Sequence, residues 1–217
     1  MTDEVRSWLR GLPPFPDTLP VLDPDRVPER PVDLFLQWMR DAADSGIPAP
    51  HSMTLSTMGE HGPSARVLIL KDVDDVGWSF AKSSNSPTGR ALSADARAAM
   101  TFFWPAHGRQ VRVEGAVREE QDAVARADFL ARPASSRVST LVGRQSDVLH
   151  DAADYAAARA EAAARLEADP DLVSNEWAVC VLQPTVIEFW QASADRAHAR
   201  VLYRPTAEGW RREVLWP

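Results

Sequence analysis

The sequence predicts an α+β protein, mainly β: an antiparallel barrel or sheet with helices packed outside it. Three observations carry that expectation. Segments rich in β-branched and aromatic residues, several with period-two alternation, recur between Ser64 and Glu119 and again from Trp177 onward. Helix-forming alanine, glutamate and arginine dominate the stretch between them. No internal repeat interrupts this order of strands, helices and strands.

Residues 1–30 are expected to form an extended arm, because seven of the 17 prolines fall between Pro13 and Pro31 and proline lacks the amide that a helix or central strand needs. Residues 31–217 are expected to form a single domain. In "VDLFLQWMRDAADSG", from Val32, apolar residues follow helical spacing up to Gly46, a suitable C′ residue. Four consecutive antiparallel strands are expected at 64–74, 77–83, 98–104 and 109–119, with a short helix between the second and third. Helices follow in "EEQDAVARADFLAR" and "DAADYAAARAEAAARLEAD". The chain then returns to strand in "WAVCVLQPTVIEFWQ", "HARVLYRP" and "GWRREVLWP".

Composition narrows the functional classes. Apolar residues make up 45% and charged residues 25%, with no apolar run long enough to span a bilayer, so no membrane partner is expected. A formal net charge of −7 argues against a general nucleic-acid binder. One cysteine, Cys180, and the lack of a signal-type apolar core near the start point to the cytoplasm. The five histidines show no ligand spacing, so no metal site is expected. Dinucleotide, Walker, zinc-protease and nucleophile-elbow sequences are absent.

Several local patterns can hold anions or a heterocycle. In "RVLILK", Arg66 and Lys71 bracket Val67, Leu68, Ile69 and Leu70, four aliphatic residues expected in the core; the two charges either cap a strand or each meet a phosphate. Gln110, in the alternating "RQVRVEG", offers an amide that both donates and accepts. Arg132, Ser136, Gln145 and Ser146 lie near the ends of a helical region, as caps or as anion donors. In "RAHAR", Arg196, His198 and Arg200 stand two residues apart, which on a strand puts them on one face, after the aromatic pair Phe189 and Trp190.

Taken in order, "RVLILK", "RQVRVEG", "FLARPASSRVS", "RQS", "IEFWQ" and "RAHAR" resemble the pyridoxamine 5′-phosphate oxidase family, flavoenzymes with the FMN-binding split-barrel fold. The resemblance implies an antiparallel split β-barrel with peripheral helices, FMN as cofactor, and a homodimer. It implies that Arg66 to Lys71, Gln110, Gln145, Ser146, Trp190 and Arg200 contact FMN. Lys71, Arg132 and Ser136 then match the holders of the substrate phosphate, and the pair expected to act on the substrate ring is Arg196 and His198. The implied reaction oxidises pyridoxamine or pyridoxine 5′-phosphate to pyridoxal 5′-phosphate, with oxygen as final acceptor. Phenazine-biosynthesis enzymes of the same superfamily and non-catalytic flavin binders are the alternatives.

The sequence departs from that pattern at Ala81 and Lys82, at "SPTG", at Asp128 where a tyrosine is usual, and at Ala199. Lys82 and Thr88, with Ser86 as N-cap and Pro87 at the first helical position, are expected to hold the FMN phosphate instead.

Overall fold

The computed structural model describes residues 3–217, which form six α-helices and nine strands. The helices are α1 (Asp3–Gly11), α2 (Pro31–Asp44), α3 (Pro87–Ala94), α4 (Asp122–Leu130), α5 (Ala134–Leu141) and α6 (Ala152–Ala168). The strands are β1 (Ser52–Gly59), β2 (Gly62–Ile69), β3 (Asp72–Val73), β4 (Trp78–Ser83), β5 (Arg97–Trp104), β6 (Arg109–Glu119), β7 (Trp177–Gln191), β8 (Ala199–Thr206) and β9 (Gly209–Val214). Their hydrogen-bonded order is β2-β1-β5-β6-β7-β4-β3, with β8 pairing β7 and β9 pairing β8. The mainly-β, antiparallel class matches the expectation from sequence.

Three details differ. The arm is not extended throughout: α1 precedes its first proline, with Asp3 and Glu4 in its first turn and Arg10 in its last, the charge order a helix dipole favours. β1 lies in a stretch expected to be a connection; Met53, Leu55 and Thr57 alternate inward, but the serines and threonines between them weaken the apolar signal. The strand expected over 64–74 breaks after Ile69, and β4 pairs β7 rather than β5.

Contacts divide the chain into two compact units, and β5, β6 and β7 supply residues to both. One unit gathers the chain up to Ser52, Thr101–Val113 and Val186–Pro217. Its core is aromatic: Phe35 packs edge-on to Phe102 at 4.8 Å, Trp38 to Phe189 at 5.3 Å, and Phe189 to Tyr203 at 5.7 Å. The Tyr203 hydroxyl donates to the Pro28 carbonyl at 2.7 Å, which ties the arm to this core.

The other unit gathers Met53–Met100 and Glu114–Thr185. In it β4 and β7 run antiparallel, with Phe80 opposite Cys180 and Lys82 opposite Ala178. Gly115 is required where β6 meets this strand, because a Cβ there would lie 1.9 Å from the Gln183 carbonyl oxygen. Phe129, Val138, Leu141, Ala162 and Leu166 form a second small core, with Trp177 packed against it.

Candidate active site

In the second unit, β4 carries Lys82 on the same face as Trp78 and Phe80, so alternation drives an ammonium into the interior. It is 5% exposed and pairs with Glu119 at 2.5 Å. Ser86 caps α3: its hydroxyl accepts from the Gly89 amide at 3.1 Å and donates to the Ser83 carbonyl at 2.7 Å. Thr88 is buried one residue inside the helix.

Lys82, Ser83, Ser86 and Thr88 line a cavity of about 560 Å³. It brings together Leu68, Lys82, Thr88, Arg132 and Gln145, all expected from sequence to contact cofactor or substrate. Ser139, Thr140, Arg144, Tyr155 and Trp177 complete its polar and aromatic wall, and none of them was given a role from sequence. Trp177 organises the cationic end: the Arg132 guanidinium lies 3.9 Å from its ring centroid, and its indole N–H donates to Asp128 at 2.9 Å. Arg132 also donates to the Thr140 hydroxyl at 2.9 Å. Burial lowers the Arg132 pKa, and the Asp128 charge opposes that shift. Asp128 in turn pairs with Lys71 at 3.0 Å.

The "RVLILK" residues do not behave as core. Val67 is 67% exposed and Ile69 42%, and only Leu70 is buried. Exposed Val67 and Ile69 alternate with half-buried Arg66 and Leu68, so they share the face of β2 that the rest of the chain leaves open. Arg66 braces the β1–β2 pair, donating to the Leu55 carbonyl at 3.1 Å, the Thr57 hydroxyl at 2.8 Å and the Ser64 hydroxyl at 2.8 Å. Ser136 is half-buried on α5, and Ser146 is exposed with a left-handed φ of 72°.

In the first unit, Gln110 is half-buried on β6, and Trp190 on β7 stands opposite Arg200 on β8. The Trp190 ring lies 4.8 Å from His198 and 5.8 Å from Phe15 of the arm. Arg200 is held by Glu188 at 2.7 Å and by the Trp216 carbonyl at 3.1 Å. The second oxygen of Glu188 pairs with Arg112 at 2.8 Å. Glu188 went unremarked in the sequence, although a carboxylate within the apolar run of "VIEFW" is itself a sign of a buried ion pair.

The row of three cations on one strand face is not formed. β8 begins only at Ala199; Arg196 closes the preceding turn, and His198 lies in the irregular link between that turn and the strand. Asp195 accepts from the Ala197 amide at 3.0 Å and from the Ser193 hydroxyl, the Arg196 amide donates to the Ser193 carbonyl at 3.1 Å, and Arg196 adopts φ 65°. Serine and aspartate make this a side-chain-closed turn, which outcompetes extension of the strand. The Ser193 amide donates to Nδ1 of His198 at 3.1 Å.

Among the described residues, no group of three or more histidine, cysteine or acidic side chains gathers to hold a metal, and no helix is long and apolar enough to cross a membrane.

Comparison with known proteins bears directly on this geometry. Residues 39–172 match the family profile described as pyridoxamine 5′-phosphate oxidase, and residues 177–217 match the pyridoxine 5′-phosphate oxidase C-terminal dimerisation region. A pyridoxine/pyridoxamine 5′-phosphate oxidase of Thermosynechococcus vestitus is 38% identical over 190 residues, covering 87% of this chain and 90% of that one. The crystal structure of PhzG from Burkholderia lata 383 in complex with tetrahydrophenazine-1-carboxylic acid superposes with a TM-score of 0.82 at 26% identity, over 92% of this chain and 99% of that one. A pyridoxamine 5′-phosphate oxidase-related, FMN-binding protein from Nostoc punctiforme PCC 73102 shares the fold with a TM-score of 0.68 at 15% identity, over 90% of this chain and 100% of that one. With both of its long segments matched and its fold shared, the chain belongs to the pyridoxamine 5′-phosphate oxidase family.

Proposed function

We propose that the protein is an FMN-dependent oxidase that converts pyridoxamine or pyridoxine 5′-phosphate to pyridoxal 5′-phosphate, acting as a cytoplasmic homodimer. The observation that carries this reading is the cavity of about 560 Å³, a size suited to a small-molecule site. Its donors are a guanidinium, an amide and hydroxyls, on Arg132, Gln145, Ser139 and Thr88, and such a set fits a phosphorylated heterocycle. When bound, FMN supplies the two-electron acceptor that no side chain provides, and oxygen restores it.

The chain's own residues supply orientation and charge. Leu68 and Gln145, which line the cavity, keep the cofactor assignments that the resemblance gives them, and Lys82 and Thr88, which line it too, keep theirs from the start of α3. Arg66, Val67, Ile69, Leu70, Lys71, Ser146, Gln110, Trp190 and Arg200 keep the cofactor assignments that the resemblance gives them. Arg132, with Lys71 and Ser136, is assigned to the substrate phosphate. Arg196, presented on an exposed turn, orients the substrate ring. His198 already accepts a hydrogen bond at Nδ1, so its neutral form carries the proton on Nε2 and offers a donor to the substrate.

The test is to purify the protein, identify any bound yellow cofactor by mass, and measure peroxide released with pyridoxine 5′-phosphate and with pyridoxine. The proposal expects FMN and peroxide from the phosphorylated compound. A colourless protein that takes up no FMN, or one that forms peroxide with neither compound, contradicts it. A second reading, oxidation of a different reduced ring, is favoured by one observation: Lys71 is already paired with Asp128.

A further inference from the structure

Asp128 is an unexpected neighbour for a phosphate. One of its carboxylate oxygens lies 3.0 Å from Lys71 Nζ and the other accepts the Trp177 indole N–H at 2.9 Å, so both are held in fixed directions. The pair is not sealed off: the Lys71 side chain is 31% exposed and that of Asp128 21%. Four residues along, Arg132 lies against the same indole, and the Asp128 charge works against the pKa shift that burial gives this guanidinium. Lys71, Asp128 and Arg132 together therefore carry one net positive charge where the two basic residues alone would carry two.

A phosphate monoester carries between about 1.5 and 2 negative charges at neutral pH. Entering this cluster, it meets Lys71 with its charge already matched and a fixed carboxylate beside it, and like charges at such range repel strongly when partly desolvated. A ring bearing a singly charged group faces less of that repulsion. The indole hydrogen bond matters here, because it keeps Asp128 from swinging away to make room.

We infer that Asp128 is a specificity-determining residue, an internal anion that competes with the substrate's phosphate for Lys71 and weakens the binding of doubly charged substrates. This inference rests on the oxidase reading above and names what limits its substrate class.

The experiment measures equilibrium binding to the flavin-loaded protein of 4-deoxypyridoxine 5′-phosphate, which lacks the oxidisable hydroxyl, and of 4-deoxypyridoxine, which also lacks the phosphate. Asp128→Asn keeps the size of the side chain and an oxygen acceptor for Trp177, and removes the charge. It is expected to tighten binding of the phosphorylated probe by about tenfold, within the range typical of one charged contact, and to leave the unphosphorylated probe unchanged. In a Lys71→Met background the same substitution is expected to tighten the phosphorylated probe at least as much, because the carboxylate then repels the phosphate with no ammonium beside it to offset its charge. With pyridoxine 5′-phosphate as substrate, the gain should appear as a lower KM at little-changed kcat. Equal or weaker binding of the phosphorylated probe by Asp128→Asn overturns the inference, as does an equal gain for the unphosphorylated probe. Failure of the oxidase reading looks different: no peroxide from the parent protein, whatever the two probes do.

Discussion

Lys82 and Arg196 are both cations that the sequence drew into one functional scheme, and the molecule treats them oppositely. Lys82 sits in the register of β4 and β7, opposite Ala178, and its ammonium is spent on Glu119. Arg196 sits on a turn with a left-handed backbone, exposed, with no carboxylate partner among the described residues. Arg200 and Lys71 resemble Lys82, each neutralised by an acid of the same chain. A strand fixes where a side chain points, and a charge pointed inward must be matched to be tolerated. A turn imposes no such demand and leaves the charge available to a ligand.

The largest expected effect breaks the matched side of this comparison. Glu188→Ala strips the buried carboxylate from both Arg112 and Arg200 and is expected to lower stability by about 2–3 kcal/mol, near the lower end for broken buried pairs because both arginines keep some solvent contact. Thermal unfolding measures it, and Glu188→Gln should lose less because the amide oxygen still accepts.

Next, Lys82→Ala is expected to cost about 1–2 kcal/mol through lost packing of its buried stem, while Lys82→Met stays within about 1 kcal/mol of the parent. The asymmetry arises because Glu119, 54% exposed, returns to water when its partner is removed. A destabilised Lys82→Met protein would mean that the charge, and not the shape, holds that site. On the turn the sign reverses: Arg196→Gly is expected to raise stability by up to about 1 kcal/mol, since glycine adopts a positive φ without the strain that arginine bears.

The smallest effect concerns pH. Burial pushes the Cys180 thiol up to about 12, and Tyr203 likewise to about 12. Both groups are neutral in the fold when an unfolded chain would already ionise. Stability is therefore undiminished below the ordinary pKa of each and falls as pH rises from about 9 toward 12. At pH 8 a thiol reagent should label Cys180 only after unfolding, because the thiol is buried and protonated.

How much of this was legible beforehand varied with local chemistry. β7 was readable from Trp177 to Gln191 because two apolar runs, 177–182 and 186–190, are parted by only three residues, and α2 because its stripe ends at a glycine with φ 75°. β1 was missed because serine and threonine stand between Met53, Leu55 and Thr57 and read as loop when strand partners are unknown. The exposure of Val67 and Ile69 reflects which face of β2 the rest of the chain covers, a tertiary property that no local pattern encodes. In "SADRAH" the turn chemistry was present in Ser193 and Asp195, but the even spacing of the basic residues outweighed it. Arg132 and Gln145 were singled out from sequence and line one cavity, whereas Trp177, which packs against Arg132, comes from a strand 45 residues further along the chain.

The central claim is that the turn carrying Arg196 serves the substrate while the strand-borne residues serve structure and cofactor. Arg196→Ala tests it most directly, with bound flavin per chain read from visible absorbance and turnover of pyridoxine 5′-phosphate measured on the same sample. The expected result is an unchanged flavin content with kcat lowered by about 100-fold, the scale of a lost positioning contact. Flavin lost in proportion to activity, or activity retained in full, would contradict the account.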